Sequence, residues 1–534
     1  KGWDRAKDLG QRFGKETNLM VQGQKAIPGL YNTMSFNIKE MSGERISPYP
    51  GATQELTPLT ERRDEPILVD QDGNEILDLD KISADEEFFL ESPMEKDDQK
   101  SDFFQSLTNA LNVLMGIGLL SFPYALRVSG WIPGFIISFL CGVLTNYTAK
   151  LLAYCLDSRP GLNTYSDIGE AAFGKKGRLF ISVVFFFELI VGTVALIILA
   201  GDTLGALFPG VNLKLLKVLA VIVVQPTCYL KNLKYLALGS FIGILGTTLL
   251  LIFLLVDGFG ALSSDTPGDG KLLDPMPTQL VAQPPTALPL AIGLIMSGYA
   301  GHSVFPSIYR EMRNPADYPM VVNLTYLAVG AYYTITMIVG YLMFGLEVET
   351  EVQLNLISGD TSGISHVCIA VVLWLIVVIP ITKYALIINP VNLTLEGLAF
   401  KDKPSSQLTW KEEIVRILLR TGSTIFCLLI ALFYPNFESV VAFLGAFFSF
   451  TVSVIFPILC TTRLYPAGEK VPPVPGRPDH GFNLTSLTRN VHYAIACVSI
   501  VVGAVGTAWA LVNPSPPSYD YDSAGLDGAS SGFL

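Results

Sequence analysis

Two apolar spans of this chain are interrupted by glycine in the same way. Gly118 and Gly301 are each followed, after three residues, by Phe-Pro, at 122–123 and at 305–306. Glycine frees backbone N–H and C=O groups, and hydrocarbon supplies no water to bond them. Such breaks persist where they line a cavity, and a matched pair in two halves of a chain indicates the binding site of a transporter. Close helix packing through small residues is the alternative interpretation.

The residues around the two breaks are the candidate substrate ligands. They are Asn112, Gly116, Ile117, Gly118, Ser297, Gly298, Tyr299, Ala300 and Gly301. The ranges 103–126 and 286–309 contain no Asp, Glu, Lys or Arg. Helix ends offer free carbonyls at one pole and free N–H groups at the other, so such a site suits a zwitterion with a neutral side chain. Asn109 and Asn112 either contact this ligand or form hydrogen bonds between helices.

The composition is that of a protein with many membrane spans. Half of the residues are hydrophobic and 16% are charged, and apolar windows long enough to cross about 30 Å of hydrocarbon recur eleven times. The predicted spans are 103–127, 132–155, 179–201, 213–230, 235–259, 286–310, 319–345, 364–396, 412–434, 437–460 and 488–512.

These spans predict an all-α membrane domain with an internal repeat. Five spans at 103–260 and five at 286–460 each open with a broken helix, and an odd number of spans inverts the second set. The span at 488–512 is an additional helix, followed by a short tail at 513–534. The sequence therefore predicts a 5+5 inverted repeat with broken helices one and six.

Charge placement predicts the orientation. The first 102 residues hold 13 basic and 22 acidic groups and have no sustained apolar period, which predicts a disordered acidic arm. Placing this arm in the cytosol puts 17 basic residues in cytosolic segments and 4 on the opposite side, as the positive-inside rule requires. We expect regulatory proteins to bind the arm, the C-terminus to lie across the membrane, and no cleaved signal peptide.

Other classes of function find little support. The chain has four histidines and no metal-ligand spacing, so we expect no enzyme, no metal and no cofactor. Nothing indicates a nucleic-acid partner, and no charged ring or filter-like loop indicates a channel. The seven cysteines fall in apolar spans, and we expect no disulfide and a lipid bilayer as the surroundings.

Several motifs resemble the amino acid/auxin permease family. They are Asn109–Pro123, Ser129–Trp131, Tyr165–Gly169, Ala172–Gly174, Gly301–Pro306, Arg310–Pro315 and Ala442–Gly445. Within the family, the chain is most similar to fungal vacuolar amino-acid antiporters and more distantly to the vesicular inhibitory amino-acid transporter. The resemblance covers roughly 103–512. It implies eleven spans in the bacterial leucine-transporter fold, proton-driven movement of amino acids and a vacuolar address.

Three ionisable residues are candidates for proton coupling, because such groups within spans are costly. Glu188 lies in span three, and Lys383 follows an apolar run in span eight. In sodium-coupled members of the implied fold, span eight and the first half-helix hold a cation that a lysine ammonium could replace; the alternative is a lysine that extends to the interface. His302 is either proton-sensitive or a bonded lining residue. Lys150 is expected to extend to the cytosolic interface.

The combined hypothesis is a proton-coupled transporter of neutral amino acids that exchanges protons for amino acids entering the vacuolar lumen. Two alternatives remain open. One is proton symport out of the lumen, and the other is an amino-acid sensor with little net flux.

Overall fold

The computed structural model describes residues 100–159, 161–229, 234–259, 271–282, 285–356, 364–400, 409–465 and 485–513. Regular secondary structure in these ranges is helical, so the predicted all-α class is confirmed. The acidic arm lies almost wholly outside the described residues, as does most of the C-terminal tail. The predictions made for those two segments remain predictions.

Within the described residues, seven helical stretches are long and apolar enough to cross a membrane, and a bent pair of helices makes an eighth. The seven are Trp131–Asp157, Lys175–Leu207, Pro315–Glu347, Ile369–Phe400, Trp410–Phe433, Phe437–Leu464 and Ser486–Val512. Helices also occupy the fourth, fifth and sixth predicted spans: Leu213–Cys228 has 16 residues, Lys234–Gly258 has 25 and Leu288–Gly298 has 11. A multi-span membrane protein is therefore shown, while the count of eleven spans and the inverted repeat remain predictions.

Both predicted breaks are present. The first span consists of α1 (Phe103–Leu114), a 3₁₀ turn (Ile117–Ser121) and α2 (Phe122–Ser129), and its two halves are bent by 50°. The sixth span consists of α8 (Leu288–Gly298) and α9 (Phe305–Glu311), with non-helical residues between them.

The remaining helices complete the domain in chain order. They are α3 (Trp131–Asp157), α4 (Tyr165–Phe173), α5 (Lys175–Leu207), α6 (Leu213–Cys228), α7 (Lys234–Gly258), α10 (Tyr318–Phe344), α11 (Val352–Asn355), α12 (Ile364–Phe400), α13 (Trp410–Phe433), α14 (Phe437–Phe443), α15 (Phe456–Leu464) and α16 (Ser486–Val512). Two π-helical segments, Leu444–Ser449 and Thr451–Ile455, join α14 to α15.

The recurring Phe-Pro pair has a local structural reason. Pro123 and Pro306 both lie in the first turn of the second half-helix, α2 and α9. Proline is favoured there because the N–H groups of the first turn have no partner within the helix and its fixed φ suits helix entry. The shared motif therefore marks where each helix restarts after its break.

The first half of the sixth span packs very closely against the tenth. A Cβ atom built on Gly445 would lie 1.8 Å from the carbonyl oxygen of Gly293 and 2.8 Å from the amide nitrogen of Ser297. Backbone at that distance excludes any side chain at position 445. The tenth span therefore supports the backbone that leads into the second break.

Gly445→Ala is expected to lower the stability of the purified protein by about 3 kcal/mol, at the upper end of overpacking costs, since the two backbones would have to separate. Gly422→Ala is the matched control, because a Cβ there meets nothing within 4 Å. The unfolding midpoint in detergent, measured by scanning fluorimetry, tests this. Equal midpoints for both variants would contradict the packing argument.

Candidate functional site

The two breaks lie directly against each other. A Cβ on Gly118 would be 3.1 Å from Ser297 Oγ and 3.2 Å from both Cα and N of Gly298. A Cβ on Gly301 would be 2.8 Å from Leu114 Cδ2, at the end of α1. A side chain at position 118 would crowd the backbone of Gly298, and one at position 301 would displace the side chain of Leu114.

A cavity of about 260 Å³ opens at this junction. Its lining consists of Asn112, Val113, Leu114, Gly116, Gly118, Glu188, Leu189, Gly192, Leu196, Ser297, Gly298, Ala300, Gly301, Ser303, Val304, Lys383, Leu386, Ile387 and Leu444. Nine of the twelve candidate residues from the sequence are in this lining. The cavity has the size and the mainly apolar wall of a site for a small molecule.

Polar acceptors gather where α1 ends. The ammonium nitrogen of Lys383 is 3.5 Å from the carbonyl oxygen of Met115, the residue that caps α1. Asn112 Oδ1 is buried and has no hydrogen-bond partner within the described structure. A carbonyl at a helix C-terminus and a free amide oxygen both attract a positively charged group. This side of the cavity is therefore suited to an ammonium ion.

Glu188 and Lys383 are the charged residues among the described lining. They come from α5 and α12, which are the third and eighth predicted spans. If both are ionised, their charges cancel. The cavity wall then has no net charge with which to pair the charged side chain of a ligand.

Tyr333 joins the two breaks, although the sequence analysis did not single it out. Its hydroxyl lies 2.6 Å from the carbonyl oxygen of Leu114 and 2.8 Å from that of Gly298. These carbonyls end the first halves of both broken spans, and Tyr333 itself is fully buried on α10. The chain has 21 tyrosines, and only the folded structure distinguishes this one.

Three candidate residues are not in the lining. Tyr299 is buried and its hydroxyl is 3.1 Å from Ser138 Oγ. His302 is 1% exposed, and its Nε2 is 2.9 Å from Thr148 Oγ1. Both side chains thus connect the sixth span to α3. The side chain of Ile117 lies outside what the structure describes.

Two further polar residues from the sequence analysis also lie away from the cavity lining. Asn109 is exposed on α1. The ammonium of Lys150 donates to Asn146 Oδ1 at 2.7 Å and to Asn323 Oδ1 at 2.6 Å. Two amide oxygens therefore satisfy this lysine between the second and seventh spans.

Tyr309 and Arg310 attach the C-terminal end of the sixth span to α3. Arg310 pairs with Asp157 at 3.3 Å and donates to the carbonyl of Leu156 at 2.7 Å. The hydroxyl of Tyr309 donates to the same carboxylate at 2.5 Å. The end of α9 is thus fastened to the end of α3. The sequence analysis used Arg310 as part of a motif and did not predict this pairing.

The sequence also matches known proteins. Residues 99–470, which include both breaks and the whole cavity lining, match the family described as transmembrane amino acid transporter protein. The chain belongs to that family. The resemblance to amino acid permeases is therefore confirmed.

Relatives in Arabidopsis thaliana support the assignment. The chain is 34% identical to the amino acid transporter AVT1E over 426 residues, which are 77% of this chain and 73% of that protein. It is 37% identical to AVT1D over 67% of this chain and 63% of that protein. For AVT1I the identity is 30% over 78% of this chain and 98% of that protein. Since the family and these relatives are transporters, the expectation that the chain is no enzyme is also confirmed.

Among solved structures, a Na⁺-coupled sialic acid symporter in a substrate-bound outward-open state is similar to the chain. The TM-score is 0.44 at 12% identity, over 76% of this chain and 89% of that chain. This likeness is too weak to bear on substrate, ion or mechanism.

Proposed function

We propose that this chain is a proton-coupled secondary transporter of neutral amino acids in the vacuolar membrane. It exchanges lumenal protons for cytosolic amino acids. The N-terminal arm lies in the cytosol and the C-terminus in the lumen, as the distribution of basic residues favours. Eleven spans, in two inverted sets of five and one additional helix, complete this arrangement. The vacuolar address and the exchange mode rest on the resemblance to vacuolar antiporters.

One observation carries the substrate class: the cavity at the two breaks combines opposite backbone poles with a wall whose two charged residues, Glu188 and Lys383, have opposite charges when both are ionised. The substrate ammonium binds near Asn112 Oδ1 and the carbonyls that end α1. The substrate carboxylate binds the first N–H groups of the 3₁₀ segment that begins at Ile117, which helix geometry leaves unpaired. A neutral side chain points into the apolar part of the cavity, toward Leu189 and Ile387.

The coupling groups in this proposal are Glu188 and Lys383. The contact of Lys383 with the Met115 carbonyl supports a fixed ammonium in the position of a bound cation. Glu188 lines the same cavity and exchanges the proton with one compartment. His302 is not assigned to coupling in this proposal, because its ring is outside the cavity lining and its Nε2 is hydrogen-bonded to Thr148 Oγ1.

Uptake of radiolabelled amino acid by proteoliposomes, with pH gradients of both signs, tests the function. Antiport predicts accumulation when the vesicle interior is acidic and none after a protonophore is added. Accumulation with the reversed gradient would support symport instead. Saturable binding without flux under either gradient would support a sensor.

Competition by other amino acids tests the substrate class. Neutral amino acids are expected to displace the bound label at concentrations at least about tenfold lower than arginine or glutamate, or about 1.4 kcal/mol. The reason is that the cavity offers no uncompensated charge to a charged side chain. Arginine as the best competitor would refute this assignment.

A further inference from the structure

A cluster of polar and charged residues lies outside the cavity, where the loop between α10 and α12 packs against other helices. We call residues 347–355 of this loop the cap segment. Arg127, on α2, donates to the Val348 carbonyl at 2.7 Å. Asn355 closes the segment on itself, accepting from the amide of Glu349 at 2.8 Å and donating to the carbonyl of Glu347 at 2.9 Å. The cap segment is therefore attached to the second half of the first broken span.

Glu351 is the buried anchor of the cap segment. Its side chain is 0% exposed, as is that of Gln353. Gln353 Nε2 donates to Glu351 Oε2 at 2.5 Å and lies 3.4 Å from Thr203 Oγ1 on α5. Glu351 Oε1 and Gln353 Oε1 are both buried without a hydrogen-bond partner in the described structure.

The charged groups that face Glu351 come from three other elements. They are Asp202 on α5, Lys217 on α6 and Glu438 on α14. Lys217 Nζ is 3.2 Å from Asp202 Oδ1, and this ammonium is 3% exposed. Glu438 is 4% exposed with its Oε1 unpartnered. The negative charge of Glu349, an exposed residue of the cap segment, repels that of Glu438.

One ammonium cannot compensate three carboxylates in this largely buried cluster, in which the Asp202 side chain is 19% exposed and that of Lys217 is 3% exposed. An ionised Glu351 would leave an oxygen buried without a donor, at a large desolvation cost. Burial raises the pKa of Glu351 well above its ordinary value, and Asp202 raises it further, against a smaller opposite effect of the Gln353 hydrogen bond. The protonated form is therefore favoured over a wider pH range than for a free glutamate.

A proton on Glu351 Oε1 supplies the donor that the pair lacks. A carboxylic acid and a primary amide can form a ring of two hydrogen bonds, in which the amide N–H donates to one acid oxygen and the acid O–H donates to the amide oxygen. The first bond is present, and the two unpartnered oxygens are those that the second bond would join. No other atom has to be gained or lost.

From this arrangement we infer that Glu351 is a lumenal proton-binding site. The bound proton completes the hydrogen-bonded pair of Glu351 and Gln353 within the cap segment, and in that neutral form the pair stays buried against α5, so that the cap segment is held over the first broken helix. The lumenal location rests on the orientation given under the proposed function. We call the hydrogen-bonded pair of protonated Glu351 and Gln353 the latch. Because the pKa of Glu351 is raised, the latch is complete at low pH and is lost as the pH rises through the titration of Glu351. An acidic lumen thus keeps the cap segment in place over the first broken helix.

Hydrogen–deuterium exchange of the protein in lipid nanodiscs tests the latch without any substrate or flux. In the wild type, amides of the cap segment are expected to exchange at least about tenfold faster at pH about 8 than at pH about 5, beyond the intrinsic effect of pH. In Glu351→Gln, a neutral amide replaces the titrating acid and still offers N–H donors, so protection should be high at both pH values. Glu347→Gln is the control, since this exposed residue lies on the same segment and should retain the wild-type response.

Gln353→Met provides a second variant that keeps the side-chain length. It removes the amide oxygen that accepts a hydrogen bond from protonated Glu351. The backbone amides of the cap segment should therefore exchange fast at both pH values. A wild type without a pH-dependent difference, or a Glu351→Gln variant that keeps the difference, would overturn the latch. Both results are independent of whether the chain is an antiporter, a symporter or a sensor, since hydrogen exchange is measured without substrate or flux. The outcome is therefore separate from that of the proposed function.

Discussion

Lys383→Ala is expected to separate amino-acid movement from the pH gradient. Removing the ammonium leaves the Met115 carbonyl and the cavity in place, so exchange of labelled for unlabelled amino acid continues. Accumulation driven by a gradient of about two pH units, which supplies up to about 100-fold per proton, should fall to the level of equilibration. Glu188→Gln, which keeps the shape and removes titration, should give the same pattern.

Paired assays in proteoliposomes check this prediction: counterflow without a gradient and uptake with one. Lys150→Ala is the matched control, because Lys150 also lies within a span but is bonded to Asn146 and Asn323 away from the cavity lining. It should accumulate substrate as the wild type does. Normal gradient-driven accumulation in both Lys383→Ala and Glu188→Gln would place coupling elsewhere, with His302 as the next candidate.

Gly118→Val is expected to abolish substrate binding in a protein that still folds. A Cβ at this position already contacts Ser297 Oγ and the backbone of Gly298 at 3.1–3.2 Å. The two methyl groups of valine must therefore enter the cavity or push the breaks apart. We expect at least about a 100-fold loss of affinity, or about 2.7 kcal/mol. Gly301→Val, next to Leu114 and Val113, should act in the same direction.

Equilibrium binding of a neutral amino acid to purified protein measures this loss, with the unfolding midpoint as a check on folding. Gly422→Val is the control, since a Cβ at Gly422 meets nothing within 4 Å and the residue is exposed on α13. Its affinity should be unchanged. Wild-type affinity in Gly118→Val would show that the breaks do not form the substrate-binding site.

The local features of the fold could be read from the sequence because they depend on neighbouring residues. Apolar runs predict helices, and the glycines and the Phe-Pro pairs mark where two of them stop and restart. The structure has both breaks at the predicted places. The number of membrane-crossing helices was harder to predict, since a run of apolar residues does not reveal how much of it forms one continuous helix.

Residue types were a less reliable guide to the site. Tyr299 and His302 were chosen because they lie within the second break, yet their side chains turn toward α3. Adjacency along a non-helical segment does not fix the direction of a side chain. Tyr333 and Arg310 were missed in these roles, because their partners lie on other spans and no local pattern predicts such contacts.

The sequence by itself determined the helical membrane class, the two glycine breaks and the family, because hydropathy and short motifs are local properties of the chain. Only the tertiary structure decided that the breaks touch, that Glu188 and Lys383 share one cavity, and that Glu351 lies buried against Gln353 near Asp202 and Lys217. These facts depend on how distant spans pack. Packing is fixed by the shapes of facing backbones, as the contact between Gly118 and Gly298 shows.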